Sequence, residues 1–219
     1  MRKINWIPAC AGMTVWLTGM TTLFLGLWSV VLCSWSASAA EPAQVQLKLN
    51  NDFKKELQCG WRGEGKQKFW VGTIEDAREE KSVGTLVTKK EEVSVESNRP
   101  VAEVIQSALE QGLKDCGYKL VSDKEEADYR LTGRIDLFSG SSKKGIFKGE
   151  AEAKAELTLH LARASNNEEY SVSVGVGETK KKGVSKKPKK YEEMLNRLLT
   201  RLTVDVLESR NIANWMKSK

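Results

Sequence analysis

The chain has 219 residues, with 35 basic and 29 acidic side chains and a formal net charge of +6. Arg2 and Lys3 are the only charges before Glu41, so the segment from residue 41 onward is nearly balanced, with 33 basic residues against 29 acidic ones. That weak charge does not favour nucleic acid as a partner, and a segment of roughly 179 residues is long enough for one domain with its own core.

The first 40 residues have the order of a secretory signal peptide. Two positive charges are followed by an apolar run, densest at 23–32, and then by small residues. Two overlapping A-x-A-like triplets end this stretch, so we expect cleavage after Ala39 or Ala40. The prediction is a leader at 1–40 and a single exported domain at 41–219.

Three alternatives to simple cleavage stay open at the leader. Lipidation at Cys33 would require a small residue before the cysteine, where Leu32 stands. An uncut anchor is compatible with the length of the uncharged stretch, because about 20 apolar residues span a bilayer. The segment "WIPACAGMT" resembles the translated product of short repeats dispersed between genes in many proteobacteria, which would move the true start to Met13 or Met20.

Two cysteines, Cys59 and Cys116, follow the leader. An even pair in an oxidising compartment predicts a disulfide. Two separate thiols are the alternative, because the sequence does not supply the distance between them.

Period-two alternation predicts the strands. The sequence indicates short strands at 45–49 and 68–74, a weak strand after Tyr118, a strand with Tyr129, Leu131, Ile135 and Leu137 on one face, and a hairpin over 151–161 and 170–176.

Helical spacing of apolar residues predicts one helix at 101–116, between Pro100 and Gly117, and a second helix that begins near Pro188. These elements predict an α+β fold, with an antiparallel-rich sheet and two amphipathic helices packed on one face.

No residue set favours catalysis, a cofactor or a metal. The segment "GWRGEGKQ" at 60–67 approaches a phosphate-binding loop but has Gln67 where Ser or Thr would reach Mg²⁺, and it precedes a strand. His160 is the only histidine, and its position predicts the solvent face of a strand. We therefore expect a protein without enzymatic activity.

A run of lysines between the last strand and the last helix is the strongest charged feature. Lysines so placed attract anionic headgroups, at about 1 kcal/mol each near a charged membrane, and the alternative is a solvated loop without a dedicated partner. The run consists of Lys180, Lys181, Lys182, Lys186, Lys187, Lys189 and Lys190.

The order of elements resembles the YajG-type family of bacterial envelope lipoproteins over residues 68–208. The segment "FWVGTIEDAREEKSVGTLV" resembles that family's strand and D-x-R segment, through Asp76, Arg78 and Gly84. "RPVAEVIQSALEQGLKDCGYKLV" resembles its first helix, and "EEADYRLTGRIDLF" resembles its A-D-x-x-L-x-G-x-I strand.

The resemblance implies a fold similar to small auxiliary lipoproteins of lipid-transport systems and to outer-membrane activators of cell-wall synthesis. It transfers no catalytic residues, and this chain departs from the family in lacking a credible lipobox. Asp76 and Arg78 are predicted to be structural, with Asp76 accepting from backbone N–H groups in the turn and Arg78 pairing across it.

Together these patterns predict a non-enzymatic protein exported to the periplasm of a Gram-negative bacterium, with membrane association left open. It would act by binding another macromolecule, with an envelope protein as the favoured partner and an anionic lipid surface as the second candidate. The alternative is an auxiliary component of a lipid-transport system. A deep apolar pocket would favour lipid handling, and a flat or edge-strand surface would favour protein binding.

Overall fold

The alternating and helical patterns of the sequence build an α+β fold in the computed structural model, which describes residues 41–63, 65–87, 91–143, 150–180 and 188–218. All of these residues belong to one compact unit. Its strands form a single sheet: β1 (Ala43–Val45), β2 (Lys68–Asp76), β3 (Gly84–Val87), β4 (Glu92–Ser97), β5 (Lys119–Leu120), β6 (Tyr129–Lys143), β7 (Glu150–Arg163) and β8 (Glu169–Lys180).

Two long helices and shorter helical pieces complete the described fold. They are α1 (Phe53–Glu56), α2 (Val101–Asp115), a 3₁₀ turn (Lys124–Glu126), α3 (Pro188–Leu207) and α4 (Arg210–Lys217). The two long helices lie where the apolar spacing predicted them, whereas α1 and α4 were not predicted. Among the described residues, no helix combines the length and apolar character that crossing a bilayer requires.

Strand β6 organises the sheet because it is longer than most of its neighbours. Along one side it pairs with β7 in antiparallel fashion. On its other side its first half pairs with β2 and its last residues pair with β3, both in parallel. The sheet therefore has two arms beyond β6, one continuing from β2 to β5 and one continuing from β3 through β4 to β1.

The sheet is mixed, so the antiparallel-rich prediction is only partly confirmed. Four of the seven described strand pairings are parallel, although the two longest, β6 with β7 and β7 with β8, are antiparallel. Two of the parallel pairings join predicted strands, β2 with β5 and β2 with β6, and the other two involve β3 or β4, which the sequence did not predict. Their short apolar stretches lie among charged residues, and pairing in the sheet decides their conformation.

A β-bulge in β6 changes which side chains face the core. The register with β7 shifts between Ile135 and Leu137, which leaves Asp136 as an extra residue in β6. An extra residue reverses the inward and outward phase of everything after it. Phe138 is consequently fully buried while Leu137 is only half-buried, so the prediction that Leu137 shares the buried face was wrong.

The core lies between one face of the sheet and the helices. In β7 every second residue from Ala151 to Leu161 is buried, and α3 contributes an apolar stripe that is also fully buried. The stripe consists of Tyr191, Met194, Leu195, Leu198, Leu202 and Val206, as the helical spacing predicted. Each large apolar side chain buried in this way contributes about 1.5–3 kcal/mol.

Cys59 and Cys116 are joined as a disulfide, with their Cα atoms 5.6 Å apart. The bridge links the segment before β2 to the end of α2. Two backbone hydrogen bonds lie beside it, from Gly63 N to Cys116 O and from Gly65 N to Gly117 O. The glycine-rich segment that approaches a phosphate-binding motif therefore packs against the end of a helix and leads into a strand.

We predict that breaking this disulfide lowers stability because the bridge closes a long loop in the unfolded chain. The expected loss in the free energy of unfolding is about 2–4 kcal/mol, measured as the shift in urea midpoint on adding reductant. A Cys59→Ser/Cys116→Ser double variant should unfold at the urea midpoint of the reduced protein, and adding reductant should not change that midpoint. Two titratable thiols in the oxidised segment from residue 41 onward, which holds Cys59 and Cys116 but not Cys10 or Cys33, would contradict the prediction.

Candidate functional site

The face of the sheet opposite the helices is open and polar. Along β7 the outward residues Glu152, Lys154, Glu156 and His160 are exposed, alternating with the buried leucines and alanines. The side chains on this face are therefore available to a ligand, unlike those between the sheet and the helices.

Strand register places a row of polar and aromatic side chains across this open face. Trp70 of β2 lies opposite Arg130 of β6, Thr132 of β6 lies opposite His160 of β7, and His160 lies opposite Ser171 of β8. All five residues line one cleft of about 320 Å³. We call this row the open-face cleft.

Hydrogen bonds hold the polar members of the open-face cleft in place. His160 Nδ1 lies 2.8 Å from Ser171 Oγ. Arg130 donates from Nε to Lys124 O and from Nη2 to Glu125 Oε2, both at 3.2 Å. The imidazole and the guanidinium are thus oriented by neighbours.

Trp70 forms a wall of the open-face cleft and lies across a glycine. A Cβ atom built on Gly72 would fall 2.3 Å from Cη2 and 2.5 Å from Cζ3 of the Trp70 ring, so the ring occupies the space above Gly72. Trp70 is half-buried and also lines a second cleft of about 320 Å³, which is bordered by Leu120 of β5 and by Glu110 and Lys114 of α2. The indole therefore borders two concavities.

The sequence analysis missed the open-face cleft, although one signal was visible. Phe69 and Trp70 are adjacent in a strand, so if Phe69 points into the core then Trp70 must point to the solvent face. A large aromatic side chain at an outward strand position is a recognisable exception. The cross-strand partners could not be found in the same way, because register is a tertiary property.

The outer edge of β8 is a second exposed feature. Among the described strands, only β7 pairs with β8, over 12 residues without a register shift. Arg163 N donates to Glu168 O at the hairpin, and hydrogen-bonded and non-bonded pairs alternate along an antiparallel ladder. The N–H groups of Ser171, Ser173, Gly175 and Gly177 therefore point away from β7.

At two glycine positions on this edge, no described neighbour is close enough to require a residue without a side chain. A Cβ on Gly175 would meet its nearest atom at 3.6 Å, and one on Gly177 would meet its nearest atom at 3.9 Å, which are ordinary contacts. Neither glycine has a positive φ. Described neighbours thus leave room for a larger residue at both positions.

Asp76 and Arg78 form a clamp after β2. Arg78 is only 6% exposed, and it donates from Nε and Nη2 to the two carboxylate oxygens of Asp76, both at 2.9 Å. Its remaining donors reach the carbonyl oxygens of Lys81, Ser82 and Phe138. All five guanidinium N–H groups are used inside the protein, which favours a structural role for the pair.

The hydrogen bond from the Arg78 guanidinium lowers the pKa of Asp76 below its ordinary range. Asp76 also accepts from Arg78 N at 3.2 Å, as the turn prediction required. The Asp76–Arg78 pair lines a cleft of about 490 Å³ with Ser97 and Arg99, but Arg78 has no donor left for a ligand there.

Several other predicted features are placed outside any site. The cleavage positions Ala39 and Ala40 lie outside the described residues, as do four lysines of the charged run. Lys180 ends β8, and Lys189 and Lys190 are exposed in the first turn of α3. The four undescribed lysines are Lys181, Lys182, Lys186 and Lys187.

The described residues hold no group of three or more His, Cys, Asp or Glu side chains suited to a metal ion. Within the described part of the chain, the hydrogen bond of His160 runs between Nδ1 and the Ser171 hydroxyl.

Comparison with known proteins first defines the fold class. The chain is an α+β domain whose fold is shared with solved proteins of very different sequence. Protein XCC0632 from Xanthomonas campestris superposes with a TM-score of 0.52 at 16% identity, covering 80% of this chain and 96% of that one. At that identity the likeness shows the fold alone.

The chain belongs to the family described as Uncharacterized lipoprotein, whose model matches residues 66–217. This confirms the YajG-type resemblance seen in the sequence, and a lipoprotein family indicates the bacterial envelope.

Two further solved structures match less well. Lipoprotein GNA1162 from Neisseria meningitidis has a TM-score of 0.36 at 11% identity, covering 65% of this chain and 99% of that one. The hypothetical protein CT253 from Chlamydia trachomatis has a TM-score of 0.40 at 10% identity, covering 65% and 96%. No curated protein matches this chain significantly.

We predict that stability depends on pH through Asp76. Because its folded pKa is lowered, ionised Asp76 stabilises the fold above its unfolded pKa, and this contribution is lost as the pH falls through the folded pKa. Between about pH 5 and about pH 2, the free energy of unfolding measured in urea should fall less in Asp76→Asn than in wild type. The reason is that the asparagine side chain takes up no proton.

At neutral pH, Arg78→Ala should lower the free energy of unfolding by about 3 kcal/mol, because the Asp76 carboxylate loses its guanidinium partner and three carbonyl oxygens lose their side-chain donor. Arg134→Ala, at a half-exposed arginine whose Nε contacts Asp136 at 2.8 Å, is the matched control and should cost less than about 1 kcal/mol. Equal effects of the two substitutions would contradict the structural role of the clamp.

Proposed function

We propose that the chain is a non-enzymatic protein, exported into the cell envelope of a Gram-negative bacterium, that binds a protein partner through the outer edge of β8. The observation that carries this proposal is the long unpaired edge, with its backbone N–H groups directed away from β7. A segment of the partner would add a strand to the sheet there, with main-chain hydrogen bonds supplying affinity.

Export is supported by three independent features. The first 40 residues have the pattern of a signal peptide. Cys59 and Cys116 form a disulfide, which is typical of oxidising compartments. The chain also belongs to a lipoprotein family.

Residues 170–177 of the β8 edge lack the features by which natural edge strands avoid pairing, and Lys180 stands only at the end of the strand. Such edges are usually very short or carry lysine, proline or a bulge. The other two ends of the described sheet obey this rule, since β1 has three residues and β5 has two. In contrast, residues 170–177 of β8 read "YSVSVGVG", with neither proline nor charge and with a continuous register to β7.

The glycines on this edge support close approach by another backbone. Glycine within a strand costs about 0.5–1 kcal/mol relative to alanine, and Gly175 and Gly177 have room for a Cβ. Nothing in the described fold compensates this cost. A partner strand that comes close to the edge would account for the absence of side chains there.

The space between sheet and helices argues against a lipid held in a pocket. Phe138, Leu157, Tyr191 and Leu198 meet there with no exposed surface. The clefts described above are open and lie on the surface. An auxiliary role in lipid transport would therefore rest on docking to other proteins, through the same edge.

Export has a direct test in the sequence of the processed N terminus. Cleavage after Ala39 or Ala40 should give a periplasmic protein that begins at Ala40 or Glu41, read by N-terminal sequencing of the fractionated protein. An Ala39→Lys/Ala40→Lys double variant should remain uncut, because a large charged residue does not fit the small-residue rule. Recovery of intact full-length chain from the cytosol of wild-type cells would contradict export.

Two proline substitutions test whether the partner docks at the outer edge of β8. Gly175→Pro removes an N–H that points away from β7, so the fold should be retained to within about 1 kcal/mol and the partner lost. Val174→Pro removes an N–H that pairs with β7 and should destabilise the protein by about 3 kcal/mol or more. Quantitative capture from solubilised envelope compares wild type with Gly175→Pro, and urea unfolding measures both stabilities.

Lys154→Ala, at an exposed position of β7 opposite Gly177, changes a side chain but leaves the backbone of the β8 edge intact. It serves as the control for capture and should retain the partner. If the set of envelope proteins captured by folded Gly175→Pro equals that of wild type, the edge is not the docking surface. Loss of the same proteins from both Gly175→Pro and Lys154→Ala would likewise contradict docking at the edge of β8.

A further inference from the structure

We propose that the open-face cleft is a binding site for an uncharged saccharide, with the ring of Trp70 as its stacking surface. This goes beyond the protein docking at the edge of β8 and uses a different part of the sheet.

The Trp70 ring occupies a position on the open face from which it can contact a ligand. Its Cη2 and Cζ3 atoms fill the space that a Cβ on Gly72 would need, so the absence of a side chain at Gly72 makes room for the ring. The indole is only half-buried, so part of it stays accessible beside the two clefts. The face of an aromatic ring is electron-rich, and the C–H groups on one side of a pyranose ring complement that charge.

The groups around the ring supply both donors and acceptors, as a ligand rich in hydroxyls requires. Thr132 and Ser171 carry hydroxyls, which donate and accept, and Asn167 adds an amide at the rim. The Nε2 atom of His160 has no partner among the described residues, since its hydrogen bond to Ser171 uses Nδ1. Strand register spaces these groups across three neighbouring strands.

The charges of the open-face cleft favour a neutral ligand over an anion. Arg130 and Lys124 line the cleft, as does Glu169. Arg130 is already bound to the Glu125 carboxylate at 3.2 Å, so its charge is balanced in place. A site for a phosphate or a carboxylate would instead present a free guanidinium or several lysines.

The dimensions fit a short oligosaccharide. Each cleft beside Trp70 has a volume of about 320 Å³, at the lower end of the range of about 300–1,000 Å³ for small-molecule sites. The open-face cleft is therefore large enough for a short saccharide with one ring beside the indole.

The test uses N,N′,N″-triacetylchitotriose and maltotriose as probes, added to the folded, disulfide-bonded protein. Two-dimensional NMR should show at least one probe shifting the Trp70 indole Nε1–H signal in a saturable way. Trp70→Ala should weaken that binding at least tenfold, and Trp70→Phe should retain part of it. Lys154→Ala, on the same face but away from the cleft, should bind as wild type does.

A second variant tests the open-face cleft without removing the Trp70 side chain, so that the test does not depend on whether Trp70→Ala folds. Gly72→Ala keeps the indole but displaces it, because the new Cβ would overlap the ring, and it should also weaken saccharide binding in a protein with an unchanged amide spectrum elsewhere. The proposal is overturned if neither probe binds at millimolar concentration, if folded Trp70→Ala binds as wild type does, or if a charged probe such as inorganic phosphate binds the cleft instead.

The two proposals fail separately. Gly175→Pro should lose the protein partner and keep saccharide binding, and Trp70→Ala should do the opposite. A protein that keeps its partner but binds no saccharide would overturn only the present inference.

Discussion

The antiparallel pairing of β6 with β7 is the interaction on which the rest of the structure depends. It runs for most of the length of both strands and puts one continuous apolar face toward α3. Because β6 is longer than its partners on the other side, both arms of the sheet attach to it. The bulge at Asp136 then adjusts the phase so that each half of β6 presents its own apolar residues to the core.

The Asp76–Arg78 clamp lies where the pairing of β2 with β6 ends, and it connects the two arms of the sheet. Its guanidinium contacts the segment after β2 and the backbone of β6 at Phe138, close to where β3 begins to pair. A buried arginine is tolerated there because each of its donors has an acceptor. These contacts favour the structural role predicted for the family motif.

What the core leaves exposed is the polar face of the sheet and the edge of β8. For these surfaces we propose two different kinds of recognition, namely backbone hydrogen bonding at the edge and side-chain chemistry on the face. Both features arise from the same hairpin, since β8 supplies the free edge and its register with β7 places Ser171 beside His160. A rigid scaffold with adaptable outward residues is a common basis for binding proteins.

The sequence by itself determined the helical stripes, the alternating hairpin, the leader pattern and the family, because each rests on local periodicity or short motifs. It also pointed to the Asp76–Arg78 turn, whose partners are close in the chain. Only the tertiary structure decided the parallel arms, the burial of Phe138 in place of Leu137, the pairing of Cys59 with Cys116 and the gathering of Trp70, Thr132, His160 and Ser171. The physical reason is that register and strand order bring together residues distant in the chain, and a single extra residue in one strand reverses every side chain that follows it.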